Sequence, residues 1–490
     1  MFKNILVVNR GEIACRIIRT AQDMGIETHA IFHHADRSAP HVSLADHCHE
    51  VESEVPVAAY LDIDQILKIA KNAEIESIHP GYGFLSENHI FAQRVEEEGI
   101  NFIGPTGASM TLLGDKIRSR EVAIKADVPV SASAEYLDDE QAFVEECRKI
   151  GYPLLLKASA GGGGKGMQIV NSPGELGEKI QLSRGEAERY FGDNRIYAET
   201  YISKPRHIEV QILGDGNGDV IHLFERECSI QRRFQKIIEE SPAPNLNTSL
   251  KEKICASACE LARSLNYRNA GTVEFIISED DQYYFLEMNT RLQVEHPVTE
   301  LVCDLDLVRE QLLIAANGKL SHSQNEIIQR GHAIESRICC EDPNNNFAPA
   351  TGKIQSCHLP SIENTRYDIG FSEGQEITSD FDSMIDKLIC YGADRDAAIQ
   401  KSIESVEKMH ILGIDTNLNF LLAIFRSKAF SEGFLHTGFI GENLDALSNS
   451  SIYEQNKDIA AIVATLEDPE VRHFMQNSSN LHRSIGLWRN

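Results

Sequence analysis

Short apolar segments alternate with amphipathic ones over the first 110 residues, and this alternation constrains the fold more than any other feature. The predicted strands are Ile5–Val8, Thr28–Phe32, Ile75–His79 and Asn101–Ile103, and the predicted helices are Gly11–Met24 and Glu87–Glu98. Strands that alternate with helices form a parallel sheet covered on both faces. The first strand–helix turn, Asn9-Arg10-Gly11-Glu12, has a single glycine and so lacks the GxGxxG pattern of nicotinamide-binding folds.

The length of the chain requires several domains. A chain of 490 residues is too long for one hydrophobic core, so two to four domains are expected. We predict an N-terminal α/β domain over residues 1–113, a second domain over 114–330 with a small lid at about 131–203, a third over 331–445, and a tail over 446–490. In the second domain, His207–Leu213 and Val220–Arg226 alternate apolar and polar residues, which predicts half-buried strands.

The charge balance narrows the possible partners. The chain has 47 lysine and arginine residues against 74 aspartate and glutamate residues, which gives a net charge of −27. This excess of negative charge repels nucleic acid and anionic membranes, and no apolar run approaches the ~18 residues that span a bilayer. The eleven cysteines are scattered without CxxC pairs, which is typical of reduced thiols and not of a zinc site. We expect a cytoplasmic protein that binds neither nucleic acid nor membrane.

A glycine-rich segment joins two apolar strands in the second domain. Residues 157–167 read Lys-Ala-Ser-Ala-Gly-Gly-Gly-Gly-Lys-Gly-Met, and successive glycines let the backbone approach a phosphate closely. The segment is not a Walker loop, because Gly166 stands where Ser or Thr should follow Lys165. A flexible surface loop would explain the glycines alone, but the ammonium groups of Lys157 and Lys165 favour a triphosphate clamp.

Two acidic residues face each other in a predicted hairpin formed by residues 272–277 and 283–289. If the turn centres on residues 280–281, Glu274 lies opposite Glu287, and facing Cβ atoms are only ~4.5–5.5 Å apart. Like charges at this distance are tolerated when a divalent cation sits between them. Oxygen ligands beside phosphate favour Mg²⁺ or Mn²⁺ over zinc. The alternative is that the register of the hairpin is off by one residue and that the acids lie on a polar face exposed to solvent.

The segments around the loop and the hairpin closely resemble biotin carboxylase, the ATP-grasp component of biotin-dependent carboxylases. The matching segments are His79–Asn88, Lys157–Met167, Cys228–Pro244, Glu287–Thr299 and Phe381–Tyr391. The resemblance covers about residues 1–445, with one short insertion in the hairpin. It implies an α/β fold of the ATP-grasp type, with a Rossmann-like N-terminal parallel domain, a mobile lid subdomain and a C-terminal α+β domain.

The resemblance also implies a function, the ATP-dependent carboxylation of biotin with bicarbonate as the first half-reaction of a biotin-dependent carboxylase. The residues that would bind ATP are Lys116, Lys157, Gly163, Gly164, Lys165, Glu199, Tyr201, Ile202, His207, Gln231, Glu274 and Glu287. Those that would bind Mg²⁺ or Mn²⁺, with two ions expected, are Glu274, Glu287 and Asn289.

The implied chemistry passes through carboxyphosphate. The residues that would hold bicarbonate are Lys236, Arg291, Gln293 and the backbone of Val294. Glu295 would remove the proton of bicarbonate, and carboxyphosphate would then yield CO₂ and a phosphate that takes the proton from the ureido nitrogen of biotin. Arg337 would bind biotin and stabilise its enolate, because a guanidinium keeps its charge. The implied catalytic residues are therefore Glu295, Arg291, Arg337 and Lys236.

Two features concern the substrates. At Phe234 many relatives place a histidine that reaches the ribose, so we expect a changed ribose contact.

No methionine stands in the Ala/Val-Met-Lys-Met context of attached biotin. Biotin must therefore arrive on another polypeptide or on a part not present in this chain, and a biotin carboxyl carrier and a carboxyltransferase are the expected partners. The family often pairs its subunits, which makes a homodimer the expected assembly, and the tail could be a docking segment or a truncated domain.

Other readings stay open at this point. Another ATP-grasp ligase of the carbamoyl-phosphate type also phosphorylates bicarbonate, and an inactive ATP-binding subunit could scaffold a larger carboxylase. Taken singly, Arg337 could be a structural ion pair, His207 a core histidine and Lys236 a solvated charge. The sequence does not determine the final acceptor, which could be acetyl-CoA, another acyl-CoA or pyruvate.

Overall fold

The N-terminal part of the chain forms a parallel sheet. The structure, a computed structural model, describes residues 1–136, 139–159 and 167–448. The first strands are β1 Asn4–Val7, β2 Glu27–Phe32, β3 His47–Glu50, β4 Ser77–His79 and β5 Asn101–Phe102. The first helices are α1 Gly11–Asp23, α2 Pro40–Leu44, α3 Pro56–Ala59, α4 Ile63–Asn72, α5 His89–Glu97 and α6 Gly107–Leu113. The sheet order is β3-β2-β1-β4-β5 with every neighbour parallel, which confirms the predicted α/β fold.

Helices cover this sheet on both faces because its central strand is apolar on both. Ile5 and Val7 pack in one hydrophobic cluster with residues of α1, whereas Leu6 and Val8 pack in another with residues of α4 and α5. Successive side chains of a strand point to opposite faces, so β1 supplies two cores at once. The edge strand β3 was not predicted, because its sequence His-Cys-His-Glu has no apolar alternation.

A second, smaller sheet has a hydrophobic core of its own. Helix α7 Lys116–Lys125 precedes it, and its strands are β6 Ser133–Glu135, β7 Leu154–Ala158, β8 Gln168–Val170 and β9 Ile196–Thr200. Its helices are α8 Glu140–Ile150 and α9 Leu176–Phe191. The strands pair antiparallel in the order β6-β9-β7-β8, and their buried residues form a separate cluster. A separate core is what a lid that moves as a unit requires. The glycine-rich residues 160–166 lie outside the described residues.

The largest sheet is antiparallel and carries most of the site. Its strands are β10 Arg206–Asp215, β11 Val220–Arg232, β12 Gln235–Ser241, β13 Arg268–Ile277, β14 Tyr283–Asn289, β15 His332–Cys339, β20 Thr365–Ile369 and β22 Met384–Gly392. They are ordered β14-β13-β10-β11-β12-β15-β22-β20. One sheet thus contains strands from both sides of residue 330. The predicted domain bounds stay predictions, and residues 449–490 of the predicted tail lie outside the described residues.

The remaining elements are short strand pairs and helices. The strands are β16 Glu341–Asp342, β17 Ala348–Pro349, β18 Gly352–Lys353, β19 Ser356–His358, β21 Glu376–Ile377 and β23 His410–Leu412. The helices are α10 Thr248–Ser264, α11 His296–Cys303, α12 Leu307–Asn317, α13 Arg395–Lys408, α14 Leu418–Arg426, α15 Lys428–Ser431 and α16 Phe439–Ser448. Among the described helices, none combines the length and apolar character needed to cross a bilayer.

The strands predicted after residue 206 are present as β10 and β11, but the prediction that they are half-buried is wrong. On β10, the polar residues His207, Glu209 and Gln211 are buried, like the apolar residues between them. The polar face of the strand is covered because it forms part of an internal polar site.

Candidate active site

The predicted acidic pair stands at one edge of the large sheet, on its last two strands. Glu274 on β13 and Glu287 on β14 are register partners, as predicted. The predicted register also holds at Thr272 and Val273, but between Glu274 and the turn the pairing shifts by one residue, so that Phe275 pairs with Phe285. Both phenylalanines belong to a buried hydrophobic cluster, while both acids line a cavity. The irregularity therefore reconciles core packing with the placement of the two carboxylates.

Glu274 is buried and surrounded by polar groups. Its Oε1 accepts hydrogen bonds from Asn289 Nδ2 at 2.7 Å and Gln293 Nε2 at 2.6 Å, and Lys236 Nζ lies 3.1 Å away. Its Oε2 lies 2.8 Å from His207 Nε2. Burial would raise the pKa of Glu274, but the charge of Lys236 and the hydrogen bond from His207 outweigh burial and lower it. The carboxylate is therefore ionised, as a metal ligand must be.

Two residues predicted to bind ATP also orient this acid. Gln231 Nε2 lies 2.7 Å from His207 Nδ1, so that nitrogen accepts and His207 Nε2 donates to Glu274. At the opposite carboxylate, Lys116 Nζ lies 3.4 Å from Glu287 Oε2. Glu287 is more open than Glu274, with its side chain 30% exposed. Each acid thus has its own cationic or polar neighbours in addition to its place in the hairpin.

Glu295 lies between two cations. Lys236 Nζ donates to Glu295 Oε1 at 2.6 Å, and Arg337 Nη2 donates to Oε2 at 3.0 Å. Burial would raise the pKa of Glu295, but Lys236, Arg337 and Arg226 hold it well below its usual value. Arg337 Nε also donates to Glu239 at 2.6 Å, and burial raises the pKa of Glu239 to about 7 despite Arg337. The predicted base is therefore ionised, and Arg337 contacts two buried acids.

A layer beneath these residues was missed by the sequence analysis. Glu209 accepts from Lys236 Nζ at 2.5 Å and forms an ion pair with the fully buried Arg226. Arg226 Nη2 also donates to Gln293 Oε1 at 2.7 Å, which fixes the amide that contacts Glu274. The signal for Glu209 was present, because period two places it on the same face of β10 as His207.

Arg291 joins the site to the N-terminal unit. Its Nε donates to Glu87 Oε2 at 2.8 Å, and its Nη2 donates to Asn289 Oδ1 at 3.0 Å. The backbone N–H of Thr290 also donates to Glu87, at 3.1 Å. Glu87 belongs to the segment His79–Asn88, so that segment contacts the segment Arg291–Glu295, which contains residues predicted to bind bicarbonate.

The small sheet supplies another wall. Lys157 Nζ forms an ion pair with Glu199, whose Oε2 also lies 3.5 Å from Arg120 Nη1. Burial would raise the pKa of Glu199, but Lys157 and Arg120 lower it. Tyr201 follows β9, and its backbone N–H donates to Pro153 at 3.3 Å.

These walls enclose one cavity of about 980 Å³. The predicted site residues that line it are Lys116, Lys157, Glu199, Tyr201, Ile202, His207, Gln231, Lys236, Glu274, Glu287, Asn289, Arg291, Gln293, Val294, Glu295 and Arg337. The predicted residues Gly163, Gly164 and Lys165 lie outside the described residues. The structure therefore brings together every described residue that the sequence analysis assigned to the site.

A buried lysine donates to the backbone of the segment that contains the predicted bicarbonate-binding residues. Lys387 Nζ donates to the backbone carbonyl of Val294 at 2.9 Å and lies 3.3 Å from Glu12 Oε2 and 3.5 Å from Asp368 Oδ2. Glu12, in α1, has no hydrogen-bond partner for its carboxylate among the described residues. Burial raises the pKa of Glu12 to about 7, although Lys387 opposes the shift.

The raised pKa of Glu12 predicts a pH dependence of stability. Between about pH 4.5 and pH 7 the folded chain keeps a proton that the unfolded chain has lost, so this residue's contribution to stability falls as the pH rises. Glu12→Gln cannot ionise and should remove that contribution. We expect the loss of unfolding free energy between about pH 5 and pH 8 to be smaller in the variant by on the order of 1 kcal/mol.

Thermal unfolding of both proteins at the two pH values measures this effect. The exposed Glu252→Gln variant is the control and should follow the wild type. Equal pH dependence of Tm in the wild type and Glu12→Gln would contradict the assigned proton on Glu12.

The geometry can be compared with known proteins. Residues 1–110 match the family "Biotin carboxylase, N-terminal domain", residues 115–323 match "Carbamoyl-phosphate synthase L chain, ATP binding domain", and residues 335–442 match "Biotin carboxylase C-terminal domain". Biotin carboxylase 2 of Bacillus subtilis is 45% identical over 445 residues, which cover 91% of this chain and 100% of that protein.

The chain belongs to the biotin carboxylase family.

Some relatives are larger than this chain and others are about as long. The mitochondrial methylcrotonoyl-CoA carboxylase subunit alpha of Mus musculus is 43% identical over 471 residues, which are 95% of this chain but 66% of the mouse protein. The biotin carboxylase domain of 2-oxoglutarate carboxylase from Hydrogenobacter thermophilus superposes with a TM-score of 0.88 at 42% identity, covering 91% of this chain and 99% of that domain. The activity that names the family, ATP-dependent carboxylation of biotin, is a ligase reaction.

Proposed function

We propose that this chain carboxylates biotin, carried by another polypeptide, with bicarbonate and ATP. The observation that carries the proposal is the position of Glu295, which is buried, ionised and held between Lys236 and Arg337. Glu295 shares the ammonium group of Lys236 with Glu274, so a base lies beside a carboxylate suited to a metal ion. A base, cations and a metal-binding acid in one cavity are what activation of a small anion by ATP requires.

Bicarbonate would bind to Lys236, Arg291, Gln293 and the backbone of Val294. Three of these groups are already oriented by neighbours: Arg291 by Glu87, Gln293 by Arg226, and the Val294 peptide, through its carbonyl, by Lys387. Glu295 would take the proton of bicarbonate, which then attacks the γ-phosphate of ATP, so that carboxyphosphate forms and ADP leaves. Oriented charges of this kind stabilise a transition state without rearranging during the reaction.

ATP would lie across the cavity with its phosphates toward Glu274 and Glu287. Lys116, Lys157 and the predicted loop residues Gly163, Gly164 and Lys165 would hold the phosphates, together with His207 and Gln231. The segment Glu199–Ile202 would meet the adenine. Support comes from the position of the described members of this set on the walls of one cavity. Closure of the small sheet over the site would exclude water from carboxyphosphate.

The donor set fits Mg²⁺. Glu274 and Glu287 offer ionisable oxygens on facing strands, and the amide oxygen of Asn289 lies on the same side. Hard oxygen donors beside phosphates are the ligands that Mg²⁺ prefers, and the Hydrogenobacter domain was crystallised with MgADP and bicarbonate. The metal would neutralise phosphate charge. We extend the proposal to Mn²⁺ as a substitute and to a second ion.

Carboxyphosphate would break into CO₂ and phosphate, and the phosphate would take the ureido proton of biotin. Arg337 would stabilise the resulting enolate, whose nitrogen attacks CO₂ to form carboxybiotin. We propose that a biotin carboxyl carrier delivers biotin in the cytoplasm, that a carboxyltransferase passes the carboxyl group to an acyl-CoA or keto-acid acceptor, and that two copies of this chain form a homodimer. The relatives support this range of acceptors, since they include subunits of methylcrotonoyl-CoA and pyruvate carboxylases.

The test of the proposed function is ATP hydrolysis by the purified chain with Mg²⁺. Bicarbonate should be required, and free biotin should increase the rate and accumulate carboxybiotin. Stimulation by ammonia with indifference to biotin would instead support a carbamoyl-phosphate-type ligase. Absence of turnover with every combination of substrates would support an inactive scaffold.

Phe234 should determine part of the affinity for ATP. Its side chain is 56% exposed at the turn between β11 and β12 and lines the cavity. Phe234→His would add a side chain that can hydrogen-bond to the ribose, and one such bond contributes about 0.5–1.5 kcal/mol. We expect KM for ATP to fall about 2- to 10-fold with kcat unchanged. Steady-state kinetics measures this, with the exposed Phe434→His as control, and an unchanged KM would exclude the ribose contact.

A further inference from the structure

Histidines form an array on the sheet of the N-terminal unit, far in sequence from the active-site segments. The parallel strands β2 and β3 pair His29 with His47, and Ile31 with His49. Because alternate residues share a face of a strand, Glu27 and His29 of β2 lie on the same face as His47 and His49 of β3. β3 is the edge strand, so this array lies at the rim of the sheet.

The contacts within the array leave one nitrogen without a partner. His29 Nδ1 lies 2.9 Å from His49 Nε2, and the two rings are nearly parallel, with 3° between their planes and centroids 5.2 Å apart. His29 Nε2 has no hydrogen-bond partner in the described part of the chain, although His29 is only 7% exposed. A buried imidazole nitrogen without a partner is costly unless something binds it.

Two further donors stand beside His29. His47 Nε2 lies 2.8 Å from Glu27 Oε1, and both side chains are about half exposed, at 51% and 52%. Each of Glu27, His29 and His47 offers one ligand atom, and these three atoms lie within 4.8 Å of one another. Solvent therefore reaches two of the donors, and the third is held in place by burial.

We propose that Glu27, His29 and His47 form a binding site for a borderline divalent cation, with Zn²⁺ as the fitting ion. Imidazole nitrogens with one carboxylate are ligands typical of zinc, and three protein ligands leave a fourth position for water. His49 acts through its neighbour: if His29 Nδ1–H donates to His49, the lone pair of His29 Nε2 faces the metal. A hydrogen bond from the second ring nitrogen orients metal-binding histidines in this way.

The arrangement needs only small side-chain movements to bind the ion. Tetrahedral ligands at ~2.0–2.2 Å from zinc are about 3.4 Å apart, so the donors must approach from their present spacing. The exposed side chains of Glu27 and His47 can make that movement while His29 stays fixed. Burial and the neighbouring imidazoles also lower the pKa of His29, which keeps its lone pair available. The bound ion would tie the edge strand β3 to β2.

Zinc titration of the metal-free full-length chain tests the site. Isothermal titration calorimetry with Zn²⁺ alone should give one equivalent of binding that weakens at least 10-fold in His47→Ala and in Glu27→Gln. Both residues are exposed, so the variants should fold. Co²⁺ should give the visible absorption of a tetrahedral site in the wild type and not in His47→Ala.

Two controls separate this site from others. The double variant His358→Ala/His410→Ala removes a facing pair of exposed histidines on β19 and β23 and should bind Zn²⁺ like the wild type. Glu274→Gln should also keep the zinc equivalent, because the proposed site is independent of the active-site acids. Wild-type affinity in His47→Ala, loss of the equivalent in Glu274→Gln, or no binding by the wild type would each overturn the proposal.

Discussion

Glu295→Gln is expected to lower bicarbonate-dependent ATP hydrolysis and biotin carboxylation by more than about 100-fold, because general base catalysis contributes about 10²- to 10⁴-fold. The substitution keeps the size of the side chain but removes its ability to accept a proton. In the wild type, Lys236 and Arg337 donate to the two carboxylate oxygens of Glu295. The variant places an amide between these two cations instead. Both effects act on the proton transfer and on the placement of bicarbonate.

Initial rates of ADP release, with and without bicarbonate, measure this loss. Glu260→Gln changes an exposed acid on α10 and serves as the matched control, which should keep the full rate. Binding of ATP to Glu295→Gln should change little, because the proposed nucleotide contacts involve other residues. A variant that retains most of its bicarbonate-dependent rate would remove Glu295 from the role of base.

The acidic hairpin shows which part of the strand register the sequence could predict and which part depends on packing. The symmetry of a short turn placed Glu274 opposite Glu287, and the structure has this pair. It could not predict the shift that follows, because that shift depends on how Phe275 and Phe285 fit a core built from distant segments. The register next to the turn would place Glu274 opposite Leu286, so the irregularity after Glu274 is what brings the two acids into register.

Glu209 and Arg226 illustrate a different limit. Alternation on β10 marked one face as polar, but a polar face can be turned toward solvent or toward an internal site. Only the neighbouring strands and the segment carrying Gln293 decide this, and they come from distant parts of the chain. Arg226 contacts Glu209 and Gln293, residues 17 and 67 positions away. The strand β3 was missed for a related reason, since its histidines gave no apolar pattern.

Arg337→Ala is expected to separate the two chemical steps. Removing one charged donor from a developing anion costs about 10²- to 10³-fold in rate, so carboxylation of biotin should fall by that factor. Bicarbonate-dependent ATP hydrolysis should persist within about 10-fold, because Glu295 keeps its contact with Lys236 and the nearby charge of Arg226. The acceleration of ATP hydrolysis by biotin should be lost.

The fold should tolerate this substitution because Glu239 can respond to it. Its pKa is already raised to about 7 by burial with Arg337 present, so without the guanidinium it takes up a proton and leaves no unpaired buried charge. The exposed Arg233→Ala is the matched control. Parallel assays of carboxybiotin and ADP then decide the role of Arg337. Equal losses in both products would make it a structural partner of Glu295, whereas loss of carboxybiotin alone assigns it to the biotin enolate.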